Sequence, residues 1–462
     1  MSSPDASNGK APSTHKQGVA QSDTDTIAAV ATAAGTAGIG VVRLSGPRSA
    51  DIARTLTQRE QLLPRRAHYQ AFTDADGSTM DDGLVLYFPG PNSYTGEDTV
   101  ELQGHGNPVI LSMLLQRCCD LGARPARPGE FTERAFINGR IDLLQAEAVA
   151  DLINADTTTA VQQAQRSLSG EFSRRVNELA QDITQLRVYV EAALDFPEEE
   201  IDFLSDGHVS GLLANIILNM ESLLSQAKQG AVLHAGAQLV LAGKPNVGKS
   251  SLLNALTQQD TAIVTPLPGT TRDILKETVV INDVPVIILD TAGIRNSDDP
   301  VEQEGIRRAE QALANADLKI HLFDDAAGSV SLPSSDTDIG VYNKVDLSGR
   351  PPGCFTVEGC DCVAISAYTG AGLADLKQLI LQKLGVAERH ENGFSARNRH
   401  INALNEAHQK LLSCQANFST TGAGELLATD LGTVHCELEG LTGSLSSEDL
   451  LGEIFSSFCI GK

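Results

Sequence analysis

A short apolar strand, AQLVLA (237–242), runs into Gly243-Lys244-Pro245-Asn246-Val247-Gly248-Lys249-Ser250, and an apolar helix containing SLLNAL follows at once. This is G-x-x-x-x-G-K-S in the context that gives it physical meaning, a strand-to-helix turn. The glycines let backbone N–H groups converge on phosphate oxygens, and the helix N-terminus adds partial positive charge. Lys249 is positioned to reach the β- and γ-phosphates and Ser250 to ligate Mg2+. A nucleoside triphosphate held on an α/β sheet is the first expectation.

Three further motifs fall at strand ends. Asp290-Thr291-Ala292-Gly293 closes the strand VPVIILD, where the carboxylate suits a Mg2+-linked role and the glycine a backbone contact to γ-phosphate. Asn343-Lys344-Val345-Asp346 follows IGVY. The Asp346 carboxylate can accept from both the N1–H and the 2-amino group of guanine, a pair that adenine lacks. Ser366-Ala367, after CVAI, completes a base pocket, so the sequence points to GTP rather than ATP. Within the series, Gly269-Thr270-Thr271-Arg272-Asp273 offers a threonine that ligates Mg2+ only when γ-phosphate is present, a loop ordered by GTP and released on hydrolysis. The residue after D-x-x-G is Ile294, which cannot orient water as the glutamine of Ras does. No arginine finger is evident, so another group must assist. Asn246 reads either as a loop cap or as an oxygen ligand for a cation.

The chain has 462 residues, which calls for two or three domains. Residues 1–23 read as a disordered tail without the apolar stretch of a secretory signal. Residues 24–140 alternate strand and helix patterns as a small α/β unit. Its AAGTAGIG leads into a strand, not a helix, and so is no dinucleotide fingerprint. Residues 141–235 and 388–462 carry helical periodicity, and 236–387 alternate strands and helices. An α/β domain is thus inserted between two helical stretches that pack as one discontinuous domain. The acidic run DFPEEEID reads as a solvated turn.

A net charge of -24 opposes non-specific nucleic-acid binding. Local arginines (Arg124, Arg127, Arg134 and Arg140; Arg397, Arg399 with His400) read as solvated helix faces or basic patches. Eight cysteines, without C-x-x-C, fit a reducing, cytoplasmic location rather than a disulfide framework, and Cys360-Asp361-Cys362 has no matching half for a metal. No apolar run reaches the roughly 18 residues of a membrane span. The terminal Cys459-Ile460-Gly461-Lys462 ends in lysine, against a prenylation signal.

The order GKPNVGKSS, TPLPGTTRD, DTAGIR, NKVD, ISA resembles the Era-like bacterial GTPases. The flanks GPNSYTGEDTVELQGHG, RPGEFTERAFINGRIDLLQAEAVADLI, DFPEEEIDFL and FSSFCIGK resemble the MnmE (TrmE) family of tRNA modification GTPases, from about residue 24 to the end. The resemblance implies an N-terminal α/β folate-binding domain that also dimerises, a discontinuous helical domain, and an inserted Ras-like P-loop G domain. It implies a homodimer that works with MnmG (GidA), which carries FAD, to add an aminomethyl or carboxymethylaminomethyl group to C5 of the tRNA wobble uridine. The one-carbon unit would come from 5-formyl- or methylene-tetrahydrofolate, and K+ would stimulate GTP hydrolysis by pairing G domains.

By the same resemblance, the nucleotide is bounded by Asn246, Val247, Gly248, Lys249, Ser250 and Ser251; by Thr265, Pro266, Leu267, Pro268, Gly269, Thr270 and Thr271; by Asp290, Thr291, Ala292 and Gly293; and by Asn343, Lys344, Asp346, Ser366 and Ala367. Mg2+ falls to Ser250 and Thr271. K+ falls to Asn246 and backbone oxygens of Thr265, Leu267 and Thr270. Glu302 positions the attacking water, supplying what Ile294 lacks. Folate falls to Arg43, Glu101, Arg140 (where the family often has lysine) and Lys462, with Cys459 either near the one-carbon chemistry or a plain buried thiol. The segment DAAGSVSLPSSDTD before IGVY is shorter than the family's, which predicts a trimmed side of the G domain. The competing readings are an Era-like ribosome-assembly switch and a scaffold with a vestigial G domain.

Overall fold

The computed structural model describes residues 25–195, 207–259, 276–290, 316–327, 338–386, 393–443 and 448–461. They fall into two compact units: the chain up to Asp142 together with the chain from Ser446, and Leu143–Leu445.

The first unit holds β1 (Ile27–Val30), β2 (Ala37–Ser45), α1 (Ser49–Thr57), β3 (His68–Thr73), β4 (Thr79–Phe88), β5 (Thr99–Gly106), α2 (Pro108–Asp120), β6 (Arg124–Pro125) and α3 (Glu130–Ile137). Among the described residues its sheet runs β3-β4-β5-β2-β1-β6, antiparallel except for the β1/β6 pair. Alternate residues of the strands, Val42, Leu44, Phe72, Val85, Val100 and Leu102, face α1 and α2 and are fully buried with Leu56 and Leu114. Asn107 starts α2 by accepting from the Val109 N–H, with Pro108 at the first helical position.

The second unit opens with α4 (Leu143–Asn154), α5 (Thr158–Leu168), α6 (Glu171–Asp195) and α7 (His208–Ala235). Next come β7 (Ala237–Ala242), α8 (Lys249–Gln259), β8 (Lys276–Ile281), β9 (Val284–Asp290), β10 (Leu318–Asp324), β11 (Asp338–Asn343), α9 (Val345–Ser348), β12 (Gly353–Val357), β13 (Cys360–Ala364) and α10 (Leu373–Lys383). It ends with α11 (Asn398–Thr421) and α12 (Gly424–Thr442), after which α13 (Glu448–Ser456) belongs to the first unit. The described strands order as β12-β13-β11-β10-β7-β9-β8, parallel but for the β12/β13 and β8/β9 hairpins.

The helices share one core. Phe172, Val176, Leu179, Ile183, Leu186 and Val190 of α6 recur at three- and four-residue spacing, as do Leu404, Ala407, Leu411, Cys414 and Phe418 of α11 and Leu427, Leu431, Val434, Leu438 and Leu441 of α12. The helical stretches before and after the G domain therefore fill a single interior as far as Leu441, whereas α13, read as part of the second stretch, belongs to the first unit.

Both passages of chain between helices and G domain meet at one buried carboxylate. Asp151 accepts from Ser395 Oγ at 3.0 Å and Arg397 Nη2 at 2.6 Å on the returning segment. His234 Nε2, one turn before β7, lies 3.3 Å from the same side chain. Nearby, Glu147 accepts from Arg399 and from His400 Nε2 (2.7 Å). The arginines of this segment are thus internal partners of buried carboxylates, not a solvated face. The β8–β9 hairpin is tied to α5 by the Asp283 carboxylate, which accepts from the Thr159 N–H at 2.8 Å and from its hydroxyl.

Candidate functional site

The phosphate loop leaves β7 at Ala242 and enters α8 at Lys249, so a strand end and a helix N-terminus enclose it. Asn246 adopts a left-handed φ of 67° and Gly248 one of 101°. A side chain at Gly248 would begin 2.3 Å from Asn343 Nδ2, which is why the base motif can lie against the loop. Lys249 Nζ donates to the Gly243 carbonyl at 2.6 Å and so arches over the loop. Ser250 and Ser251 are exposed in the first turn of α8.

The base motif locks onto this loop. Asn343, 2% exposed, donates through Nδ2 to the Val247 carbonyl at 2.9 Å. Its Oδ1 accepts from the Ala367 N–H at 3.0 Å. Lys344 Nζ donates to the Asn246 carbonyl at 2.9 Å and to Asp324 Oδ2 at 2.6 Å. Asp346 Oδ1 accepts from Ser366 Oγ at 2.6 Å. The backbone of Asp290 ends β9 opposite Leu241 of β7, one strand from the phosphate loop. Thr265, Pro266, Leu267, Pro268, Gly269, Thr270, Thr271, Thr291, Ala292, Gly293 and Glu302 lie outside the described residues, as do residues 328–337 of the segment DAAGSVSLPSSDTD.

In the first unit, Arg43 of β2 stands opposite Glu101 of β5 and donates to its Oε1 at 3.2 Å and 3.0 Å. Gln103 Nε2 holds the other oxygen at 3.3 Å. The Arg43 guanidinium also lies 5.8 Å from the centre of the Phe131 ring and 3.4 Å from the Gly461 carbonyl. The chain's end therefore folds back onto this pair. Gly461 fits so closely that a side chain there would begin 2.4 Å from the Val30 carbonyl. Gly129 N–H meets the Cys459 carbonyl at 3.4 Å, and the Cys459 side chain is exposed, not buried. Arg140 is exposed and its stem approaches Gly96, while Lys462 lies outside the described residues.

The arginine cluster of this unit is also largely internal. Arg134 is buried and pairs with Asp25, Glu97 and Glu130; Arg124 pairs with Asp25 and Glu130. Burial alone would raise the Glu130 carboxyl, but Arg124, the Arg127 N–H and Arg134 outweigh it and hold it below the usual range. Of the cluster, Arg127 and Arg140 remain exposed.

A mostly parallel sheet with a phosphate loop after one strand and Asn-Lys-x-Asp and Ser-Ala after two others defines the P-loop guanine-nucleotide class, here inserted between helical stretches of the chain. Residues 143–459 match the MnmE helical domain, and residues 26–140 match the N-terminus of the GTP-binding protein TrmE. The tRNA modification GTPase MnmE of Pseudomonas aeruginosa (strain UCBPP-PA14) is 50% identical over 455 residues, 96% of this chain and 100% of its own. That of Stutzerimonas stutzeri (strain A1501) is 50% identical over 455 residues, 95% of this chain and 99% of its own. Among solved structures, the G domain of the T. maritima FeoB iron transporter aligns with 32% of this chain and 98% of its own at 26% identity, with a TM-score of 0.24. The chain belongs to the MnmE family of tRNA modification GTPases.

Proposed function

We propose that this chain hydrolyses GTP and couples hydrolysis to modification of the tRNA wobble uridine at C5, as a cytoplasmic homodimer with an FAD-carrying MnmG (GidA)-type partner. Family membership supports the chemistry. The carrying observation is the bonding of Asn343 and Lys344 to the phosphate loop, which sets a guanine-reading turn beside a phosphate-binding one. No helix among the described residues is long and apolar enough to cross a membrane. Its eight cysteines are free thiols, in keeping with a reducing compartment.

Mg2+ would be held by Ser250 and Thr271, and K+ by Asn246 with the backbone oxygens of Thr265, Leu267 and Thr270. The position of Asn246 fits a ligand role: its carbonyl is taken by Lys344 while its side chain is exposed at the loop. These cations supply positive charge to the phosphates. Lys249 adds its ammonium there, and Glu302 orients water. Arg43, Glu101, Arg140 and Lys462 would hold a tetrahydrofolate derivative, which supplies the one-carbon unit when bound. The Gly461 carbonyl at Arg43 supports that grouping.

The test compares GTP hydrolysis by the full chain in K+ and in Na+ at equal ionic strength, with Glu302→Ala alongside. K+ is expected to stimulate the rate strongly, and the variant to lose about a hundredfold. Equal slow rates in both salts would reject the cation assignment. Mass spectrometry of wobble uridines from a strain lacking the gene is expected to show loss of the C5 group. Unaltered tRNA would turn the reading toward a ribosome-assembly switch.

A further inference from the structure

The turn that carries Asp346 is gripped on both sides by consecutive carboxylates that no nucleotide motif includes. On the near side, Lys344 caps α9 in a left-handed conformation with φ of 68°. Its ammonium is divided between Asp324 Oδ2 at 2.6 Å and the Asn246 carbonyl at 2.9 Å. The hydrogen bond from Lys344 holds the Asp324 carboxyl below its ordinary range. On the far side, Asp325 accepts from Ser348 Oγ and lies 2.9 Å from Arg350 Nε. The Asp325 side chain is only 4% exposed. The Arg350 guanidinium lies 5.1 Å from the Tyr342 ring centre and 5.0 Å from that of Phe355. Both carboxylates stand where β10 ends, so one strand end fixes the residue before α9 and the residues that close it.

Reading guanine demands that geometry. One carboxylate must meet two donors of a planar base together, and a small tilt of the turn loses one of them. Ser366 holds Asp346 from a third direction but cannot set the path of its backbone. We infer that Asp324 and Asp325 are positioning residues for guanine recognition, setting selectivity through Lys344, Ser348 and Arg350. The inference rests on the nucleotide reading above.

The experiment measures the affinity of the full chain for GDP and for IDP, whose base lacks the 2-amino group. Wild type, Asp324→Asn, Asp325→Asn and Arg350→Lys are compared, with GTP hydrolysis at saturation as a second readout. Wild type is expected to prefer GDP. Each Asp→Asn variant is expected to weaken GDP binding about tenfold, the loss of one charge-assisted hydrogen bond, and to shrink the GDP-over-IDP ratio. Arg350→Lys, which keeps the charge, retains more of the ratio than Arg350→Ala. The rate at saturating GTP stays near wild type, so the loss lies in KM. Should Asp325→Asn fail to fold, Ser348→Ala and Arg350→Ala break the same contact from the other side. A wild-type ratio in the folded variants overturns this inference alone. A wild type without preference for GDP overturns the nucleotide reading itself.

Discussion

Glu147 shows at the residue scale how a charge is kept inside a helical bundle. It is 1% exposed and faces Arg399, Arg397 and His400. The Arg397 N–H donates to His400 Nδ1 at 3.0 Å, so His400 is the neutral tautomer with its proton on Nε2, directed at Glu147. Burial pushes the His400 imidazole below its ordinary value, which agrees with that geometry. Burial would raise the Glu147 carboxyl, but the His400 contact and the Arg399 guanidinium outweigh it and hold it at about 2, down from 4.5. The unfolded chain therefore binds protons more readily at both groups, and stability falls as pH falls. His400 contributes below its ordinary 6.5, and Glu147 between 4.5 and about 2. The loss is read as a fall in bundle helicity on acid titration monitored by circular dichroism. Glu147→Gln leaves Arg399 facing an amide in a buried site and is expected to cost about 3–5 kcal/mol at pH 7 and to flatten the acid transition. An unchanged melting temperature would refute that account.

At the scale of elements, α7 offers two glycines with opposite expectations. A side chain at Gly211 meets nothing within 4 Å, whereas one at Gly230 begins 2.1 Å from the Phe394 carbonyl. Gly211→Ala should stabilise by about 0.5 kcal/mol through helix propensity, and Gly230→Ala should destabilise by about 1–3 kcal/mol because backbone cannot yield. Chemical denaturation of the two variants checks the sign of each. The same elements show what sequence can reveal. The bundle helices were legible because their apolar residues repeat at helical spacing over many turns, and the G-domain motifs because each sits at a strand end. The β12–β13 hairpin was not, since its strands are short and its turn, Glu358-Gly359, lacks a strong hairpin signal. The grip of Asp324 and Asp325 was hidden because consecutive acids after a strand look like a solvated turn. The arginines of 397–399 read as surface because their carboxylate partners, Asp151 and Glu147, lie about 250 residues earlier.

At the scale of the whole molecule, the tail completes the first unit. Phe455 is 2% exposed, with its ring centre 5.5 Å from Phe458 and 6.4 Å from Phe136. Phe455→Ala is expected to cost that unit about 3 kcal/mol, visible as faster amide exchange in α3. Unchanged protection there would mean that the tail is an ornament of the unit rather than a part of it. The helical core has the same dependence on late residues, since α6 and α7 precede the G domain and α11 and α12 follow it. During synthesis, then, the ribosome delivers half of the bundle, then the whole G domain, and only afterwards the other half. Until Phe394 and the helices beyond it emerge, the apolar stripes of α6 and α7 lack the cover of α11 and α12, which is the state that chaperones meet. Nascent chains arrested after Val386 should lose α6 and α7 to protease while their G domain resists. The stretch of polypeptide after Phe394 thus closes the second unit first, by Leu445, and only then supplies the segment from Ser446 that completes the first.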